Sequence, residues 1–228
     1  MTSNLRHDIE QCTRSAFQLG DLVETAFGNA VQALQTGDSA LTIQAQQIET
    51  DTDSREVVIE SDCVRILALD QPVAIDLRMV VAVLKITSDL ERMCDLAAKI
   101  SKRAPLPIIQ SGKELNSLLL SMALQVQQML QLSLRSFARL DLSLAQIVLT
   151  SDNEIDAINR KIYLMAQEAI QAEPERTGDF LQLLTVSSCL ERVADHATNI
   201  AEDTMYLVSG DIVRHRWSDE QPGNGQSR

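Results

Sequence analysis

Three pairs of carboxylates draw attention first, each with its members four residues apart, the spacing that stacks side chains on one face of a helix. They are Glu91 with Asp95, Glu191 with Asp195, and Asp152 with Asp156. Like charges at that spacing repel and cost an isolated helix roughly a few tenths of a kcal/mol, so their repetition points to a compensating partner. A hard cation is the simplest one, since it takes several oxygens at about 2 to 2.6 Å. If the helices bearing residues 152 and 191 are antiparallel neighbours, Asp152, Asp156, Glu191 and Asp195 form such a set, and Asn199 and Glu202 continue the stripe. His196 borders that face as a softer donor. Two readings need no metal: acids on an outer helix face keep a protein soluble, and Arg92 and Arg192 stand three residues from Asp95 and Asp195, within neutralising reach.

The acids belong to a longer repeat. KITSDLERMCDLAAKISKR at 85–103 returns as TVSSCLERVADHATNIAED at 185–203, and a fixed long period of this kind signals duplication. At about 100° per residue, Ile86, Leu90, Met93, Ala97 and Ile100 share an apolar stripe with Glu91 and Asp95 opposite. In the second copy Val186, Leu190, Val193, Ala197 and Ile200 oppose Glu191, Asp195, Asn199 and Glu202, with Asp203 at the edge of the polar stripe.

Periodicity and breakers predict six helices to carry these stripes. The first spans about 5–35. The second, about 39–69, is capped by Asp38 and runs through Ile43, Ile48, Val57, Val58 and Ile66. The third has Asp70 as cap and Pro72 in its first turn, and it runs to about Arg103, where Pro105 and Pro107 stop it. The fourth spans about 113–140 with a Leu and Met core stripe, the fifth 142–172, and the sixth 177–208 ahead of Gly210. The stretch 104–112 reads as the linker. The expected fold is therefore all-α, two tandem antiparallel three-helix bundles over 1–105 and 110–213. A flexible tail, 214–228, follows and carries Trp217.

Composition narrows the function. With 228 residues, 45% of them hydrophobic, the chain can bury a substantial core. A formal charge of −12 argues against nucleic acid and favours cations or basic protein surfaces. Cys12, Cys63, Cys94 and Cys189 form no close-spaced pair and read as reduced thiols in a cytosolic chain. No signal peptide or membrane span is recognised, so membrane contact is expected to be peripheral at most. There is no Gly-rich phosphate loop, no nucleophile beside a base and no Glu-x-x-His pair. An enzyme is not expected, and no residue is assigned to catalysis or to an organic cofactor.

The segments QPVAIDLRMVVAVLKITSDLER, LERMCDLAAKI and LERVADHATNIAEDTMYLVSGDIV resemble the repeated signature of the PhoU family of phosphate-uptake regulators, over residues 5–213. The resemblance implies two three-helix bundles and a cytoplasmic negative regulator of the phosphate regulon. It implies an adaptor between the phosphate ABC transporter, through its ATPase subunit, and the phosphate-sensing histidine kinase. It also implies metal clusters on Glu/Asp-x-x-x-Asp pairs, here Asp152 with Asp156, Glu191 with Asp195, extended by Asn199 and Glu202, and Glu91 with Asp95 in the first half. Asp51 matches Asp152, but Arg55 stands four residues on and Lys99 replaces Asn199, so the second half is expected to be the better site. The cation is divalent or trivalent, with iron, zinc and magnesium all open. A homodimer is the default assembly. A metal-storage or redox bundle, and a regulator of a different transporter, stand as alternatives.

Overall fold

The computed structural model describes residues 3–109 and 114–210. Six helices fill them: α1 (Ser3–Thr36), α2 (Ser39–Asp70), α3 (Ala74–Arg103), α4 (Glu114–Arg139), α5 (Leu142–Ala172) and α6 (Thr177–Ser209). A 3-10 turn, Pro174–Arg176, leads into α6, and no strand occurs among the described residues. α1, α2 and α3 pack on one another, as do α4, α5 and α6, which gives the expected pair of three-helix bundles. The tail expected over 214–228, with Trp217, lies outside the described residues.

The two halves share one register for most of their length. Asp38 caps α2 and Asp141 caps α5, 103 positions later. At that same offset Ala16, Leu19, Val23, Phe27 and Leu34 of α1 match Leu119, Met122, Val126, Leu130 and Phe137 of α4, all buried. On α2 the inward stripe is Ala45, Thr52, Ile59 and Ile66, with Cys63 beside it, and on α5 it includes Val148, Ile155 and Ile162. These residues recur every seven positions, the narrow seam of a helix that touches its bundle along one edge. Of the apolar residues that mark α2 in the sequence, Ile66 joins this seam, whereas Ile43, Val57 and Val58 are 59%, 63% and 60% exposed. An outer helix needs only its seam, so the remaining apolar side chains stay on the surface.

α3 and α6 occupy the middle. Each packs within its own bundle and also against the other, and α1 touches α4, so the core runs unbroken through both halves. This double burial explains why α3 hides Ile86, Leu90, Met93, Leu96, Ala97, Ala98 and Ile100 around much of its circumference. Each fully buried Leu or Ile stabilises the fold by about 1.5–3 kcal/mol relative to an exposed one. The α3–α6 seam also carries charge: Lys85 pairs with Asp203, while Asp89 Oδ1 lies 2.8 Å from His196 Nδ1 and accepts from Asn199 Nδ2 at 3.1 Å.

The connections differ from expectation in two places. Asp70 is the last residue of α2 rather than the cap of α3; Gln71 takes a left-handed conformation, φ 44°, and Val73 precedes α3 without a side-chain cap bond. Pro72 thus sits outside the helix, whereas Pro174 opens the 3-10 turn before α6. The described part of the stretch expected to be a linker is docked: Ile108 and Ile109 are buried, and Asn116 Nδ2 donates to their carbonyls at 2.5 and 2.6 Å.

Candidate metal centres

Because α2 and α3 pack side by side, as do α5 and α6, the acid pairs of neighbouring helices face each other across two grooves. In the second half Asp152 and Asp156 of α5 meet Glu191 and Asp195 of α6, as their mutual electrostatic influence records. Burial, then the charges of Asp156, Asp195, Glu191 and Glu202, push the Asp152 carboxyl up to about 6. Burial, then Asp195 and Asp156, raise Glu191, and burial, then Asp156, raise Asp195; Arg192 opposes both shifts, and His196 opposes the second. Removing water from clustered carboxylates disfavours their charged forms. A cation would reverse that penalty.

Asn199 and His196 both bond to Asp89 on α3 and so serve the inter-bundle seam, while His196 still borders the acid set closely enough to oppose the rise of the Asp195 carboxyl. Asp203, expected at the edge of the polar stripe, is buried against Lys85 on the same seam. Glu202 stays close enough to influence Asp152. Arg160 Nη1 lies 3.7 Å from Asp156, an exposed pairing that a stronger ligand could displace.

In the first half Asp53, Glu91 and Asp95 present ligand oxygens all within 4.8 Å of one another, which makes them the tightest carboxylate group among the described residues. Asp51, expected in this place, instead pairs with Arg55 at 3.1 Å. Counting from the helix caps explains the difference. At the 103-residue offset the partners of Asp152 and Asp156 are Glu49 and Asp53, an i, i+4 acid pair that the sequence reading missed by applying an offset of 101 to α2. Asp95 and Asp53 help burial to raise the Glu49 carboxyl, against the pull of Lys102. Burial also raises Glu91, with Asp95, Glu56 and Asp53 adding to it and Arg92 opposing.

Both halves therefore offer the same four carboxylates on the same two antiparallel helices. Their surroundings differ in sign. Lys99 reaches Asp95 at 3.4 Å, Arg92 reaches Glu91 at 3.3 Å rather than Asp95, and Lys102 stands where the second half has Glu202. An all-oxygen, carboxylate-rich donor set with no thiol or imidazole in it fits a hard or borderline cation such as magnesium, manganese or iron, and it fits a soft one poorly.

Similarity to known proteins follows the same outline. The family profile described as the PhoU domain matches residues 17–104 and again 119–204, one copy per bundle. The phosphate-specific transport system accessory protein PhoU homolog of Pseudomonas aeruginosa is 35% identical over 210 residues, covering 91% of this chain and 86% of that protein. The accessory protein PhoU of Escherichia coli is 30% identical over 213 residues, covering 93% of this chain and 88% of its own length. Among solved structures, the crystal structure of PhoU from Pseudomonas aeruginosa superposes with a TM-score of 0.85 at 34% identity, over 90% of this chain and 99% of that one. PhoU from Streptococcus pneumoniae, described as a phosphate transport system regulatory protein, gives 0.77 at 28% identity, over 92% and 99%. With the domain found in each half and relatives matched along nearly their full lengths, the chain belongs to the PhoU family.

Proposed function

We propose that this protein is a cytoplasmic, non-enzymatic regulator of phosphate uptake that holds the phosphate-starvation response off when phosphate is plentiful. It acts as an adaptor between the phosphate ABC transporter, through its ATPase subunit, and the phosphate-sensing histidine kinase. Family membership across both bundles carries this reading, because the relatives are accessory proteins of phosphate-specific transport. No helix among the described residues is long and apolar enough to cross a membrane.

The acid grooves are the working faces. Asp152, Asp156, Glu191 and Asp195, assisted by Glu202, would hold a cation in the second half, and Glu49, Asp53, Glu91 and Asp95 in the first. A bound metal would supply positive charge that cancels the repulsion and would act as a Lewis acid toward a partner's donor group. The rest falls to the chain: an outer helix seated on a central one, α2 on α3 and α5 on α6, holds the carboxylates at fixed spacing, and a rigid face suits docking. With its net charge of −12 the protein is drawn to a basic partner surface, and high salt weakens the encounter.

The decisive experiment deletes the gene and measures alkaline phosphatase and phosphate uptake in phosphate-replete cells. Derepression cured by the wild type, but not by a chain with Asp152, Asp156, Glu191 and Asp195 changed to Ala, is the expected result. Cure by both chains would keep the regulator and remove the groove from its mechanism. No derepression would overturn the phosphate reading in favour of a metal-handling bundle or a regulator of another transporter.

A further inference from the structure

The sequence offers no close-spaced cysteines, yet folding brings two together. Cys12 of α1 and Cys63 of α2, 51 positions apart, place their Sγ atoms at 3.1 Å, within an S–H···S hydrogen bond. Both are free thiols and both are buried, 4% and 0% exposed. The fold does not require sulfur here. At the 103-residue offset the second bundle has Leu115 and Ala166 in the same places, both buried, so an aliphatic pair of similar bulk fills the equivalent site. Disulfide sulfurs are about 2.05 Å apart, so bonding needs the two atoms to approach by about 1 Å.

We propose that Cys12 and Cys63 are an oxidisable dithiol, closed by hydrogen peroxide or a related small peroxide into an intrachain disulfide that staples α1 to α2. The Cys12 sulfur attacks one peroxide oxygen, the O–O bond breaks, one water leaves, and Cys12 becomes a sulfenic acid. The Cys63 sulfur then attacks the Cys12 sulfur. An S–S bond forms, the S–O bond breaks, and the second water leaves with the Cys63 proton. Two electrons pass from the sulfur pair to the peroxide, and a cellular dithiol restores the thiols by exchange.

The roles follow from the geometry. Cys12 Sγ has the Ile59 carbonyl at 3.8 Å to take its own S–H, which leaves Cys63 to donate to Cys12; that bond lowers the Cys12 thiol and, together with burial, pushes Cys63 up. Cys12 is thus the attacking sulfur and Cys63 the resolving one. Cys12 lies in the third turn of α1, closer to the helix start than to its middle, and opening of these N-terminal turns is the route by which a small oxidant would reach the pair. Asp53 stands ten residues before Cys63 on α2, about 15 Å along the helix. The staple therefore fixes on α1 the helix that carries the acids of the first groove.

The test uses the full chain, reduced and then challenged with hydrogen peroxide, alkylated in denaturant and examined by intact mass and peptide mapping. The chain has four cysteines, and alkylated thiols should fall from four to two, with Cys12 linked to Cys63, no covalent dimer, a higher melting temperature and full reversal by dithiothreitol. Cys12→Ala should keep its three thiols under the same dose, whereas Cys63→Ala should keep only Cys94 and Cys189 as thiols, with Cys12 captured by dimedone as the unresolved sulfenic acid. The double change Cys12→Leu with Cys63→Ala reproduces the pair of the second bundle and reports folding independently of the chemistry. Four surviving thiols, arrest of Cys12 as sulfinic acid, or a disulfide to Cys94, to Cys189 or between chains would each overturn the proposal.

Discussion

Lys85 of α3 crosses to α6 and pairs with Asp203, whose side chain is only 4% exposed. The two residues belong to different halves, so this ion pair binds one bundle to the other within the shared core. Removing one member of a buried pair is more damaging than replacing both with apolar groups, because the desolvated charge that remains loses part of its compensation. Lys85→Met should therefore cost about 2–4 kcal/mol, measured by urea denaturation. Lys85→Met combined with Asp203→Leu should recover at least half of the loss. Equal costs for the single and double variants would remove the pair from the inter-bundle contact.

Asp152 makes a prediction about pH. Its carboxyl titrates at about 6 in the folded protein against an ordinary 3.8, so between those values the native state binds more protons than the unfolded chain. Stability contributed by this group accordingly falls as pH rises from about 4 to about 6, and the full penalty stands above that range. Asp152→Asn should stabilise the metal-free protein at pH 7.5 by about 1 kcal/mol after allowance for solvent screening. That is about 2–4 °C in Tm for a chain of this size. The advantage should shrink at pH 5, and the variant should bind cations more weakly. A variant that melts lower at pH 7.5 in the presence of chelator would contradict the electrostatic account.

The two grooves should differ in affinity. The first is shadowed by Lys99 and Lys102 where the second has Asn199 and Glu202. Calorimetric titration with manganese is expected to resolve two classes of site, with Asp152→Ala plus Asp156→Ala removing the tighter one. Lys99→Asn together with Lys102→Glu should strengthen the first groove by about tenfold or more, the scale of changes around a metal site. Equal affinity of both grooves in the wild type would defeat this expectation.

The helix caps supply a prediction about the duplication itself. Asp38 accepts from the backbone of Ala40 at 2.8 Å, while Asp141 accepts from both Ser143 and Leu144, at 2.9 and 3.2 Å. Asp38→Ala should cost about 1 kcal/mol and Asp141→Ala somewhat more, read from chemical denaturation at neutral pH. The opposite order would mean that the second bond of Asp141 adds nothing.

Much of this could be read from residues alone. The helices were readable because Gly37, Pro105, Pro107, Pro174 and Gly210 interrupt long periodic stretches, and the expected bounds of α5, Leu142–Ala172, agree with the structure. Glu91, Asp95, Glu191, Asp195, Asp152 and Asp156 stood out through their spacing. Glu49 and Asp53 did not, because the offset between the halves changes from 103 on α2 to 100 on α3, and only the caps Asp38 and Asp141 reveal the first value. The pairings of Lys85 with Asp203, Asp89 with His196 and Cys12 with Cys63 left no periodic trace. Each depends on which helices become neighbours, and amphipathic stripes do not encode that choice.

The change of offset is absorbed where α2 turns into α3. Three residues, 71–73, make that turn, whereas Glu173 alone separates α5 from the 3-10 turn that opens α6, and α2 is one residue longer than α5. The acids of each groove are held by side-to-side packing well away from these turns, so chain length there has drifted since the duplication without moving a ligand. The same latitude makes the Gln71–Val73 turn a natural splice point. A short peptide tag or a fluorophore anchored there would ride on the functional chain as a passive reporter, leaving both acid grooves and the inter-bundle seam as they are.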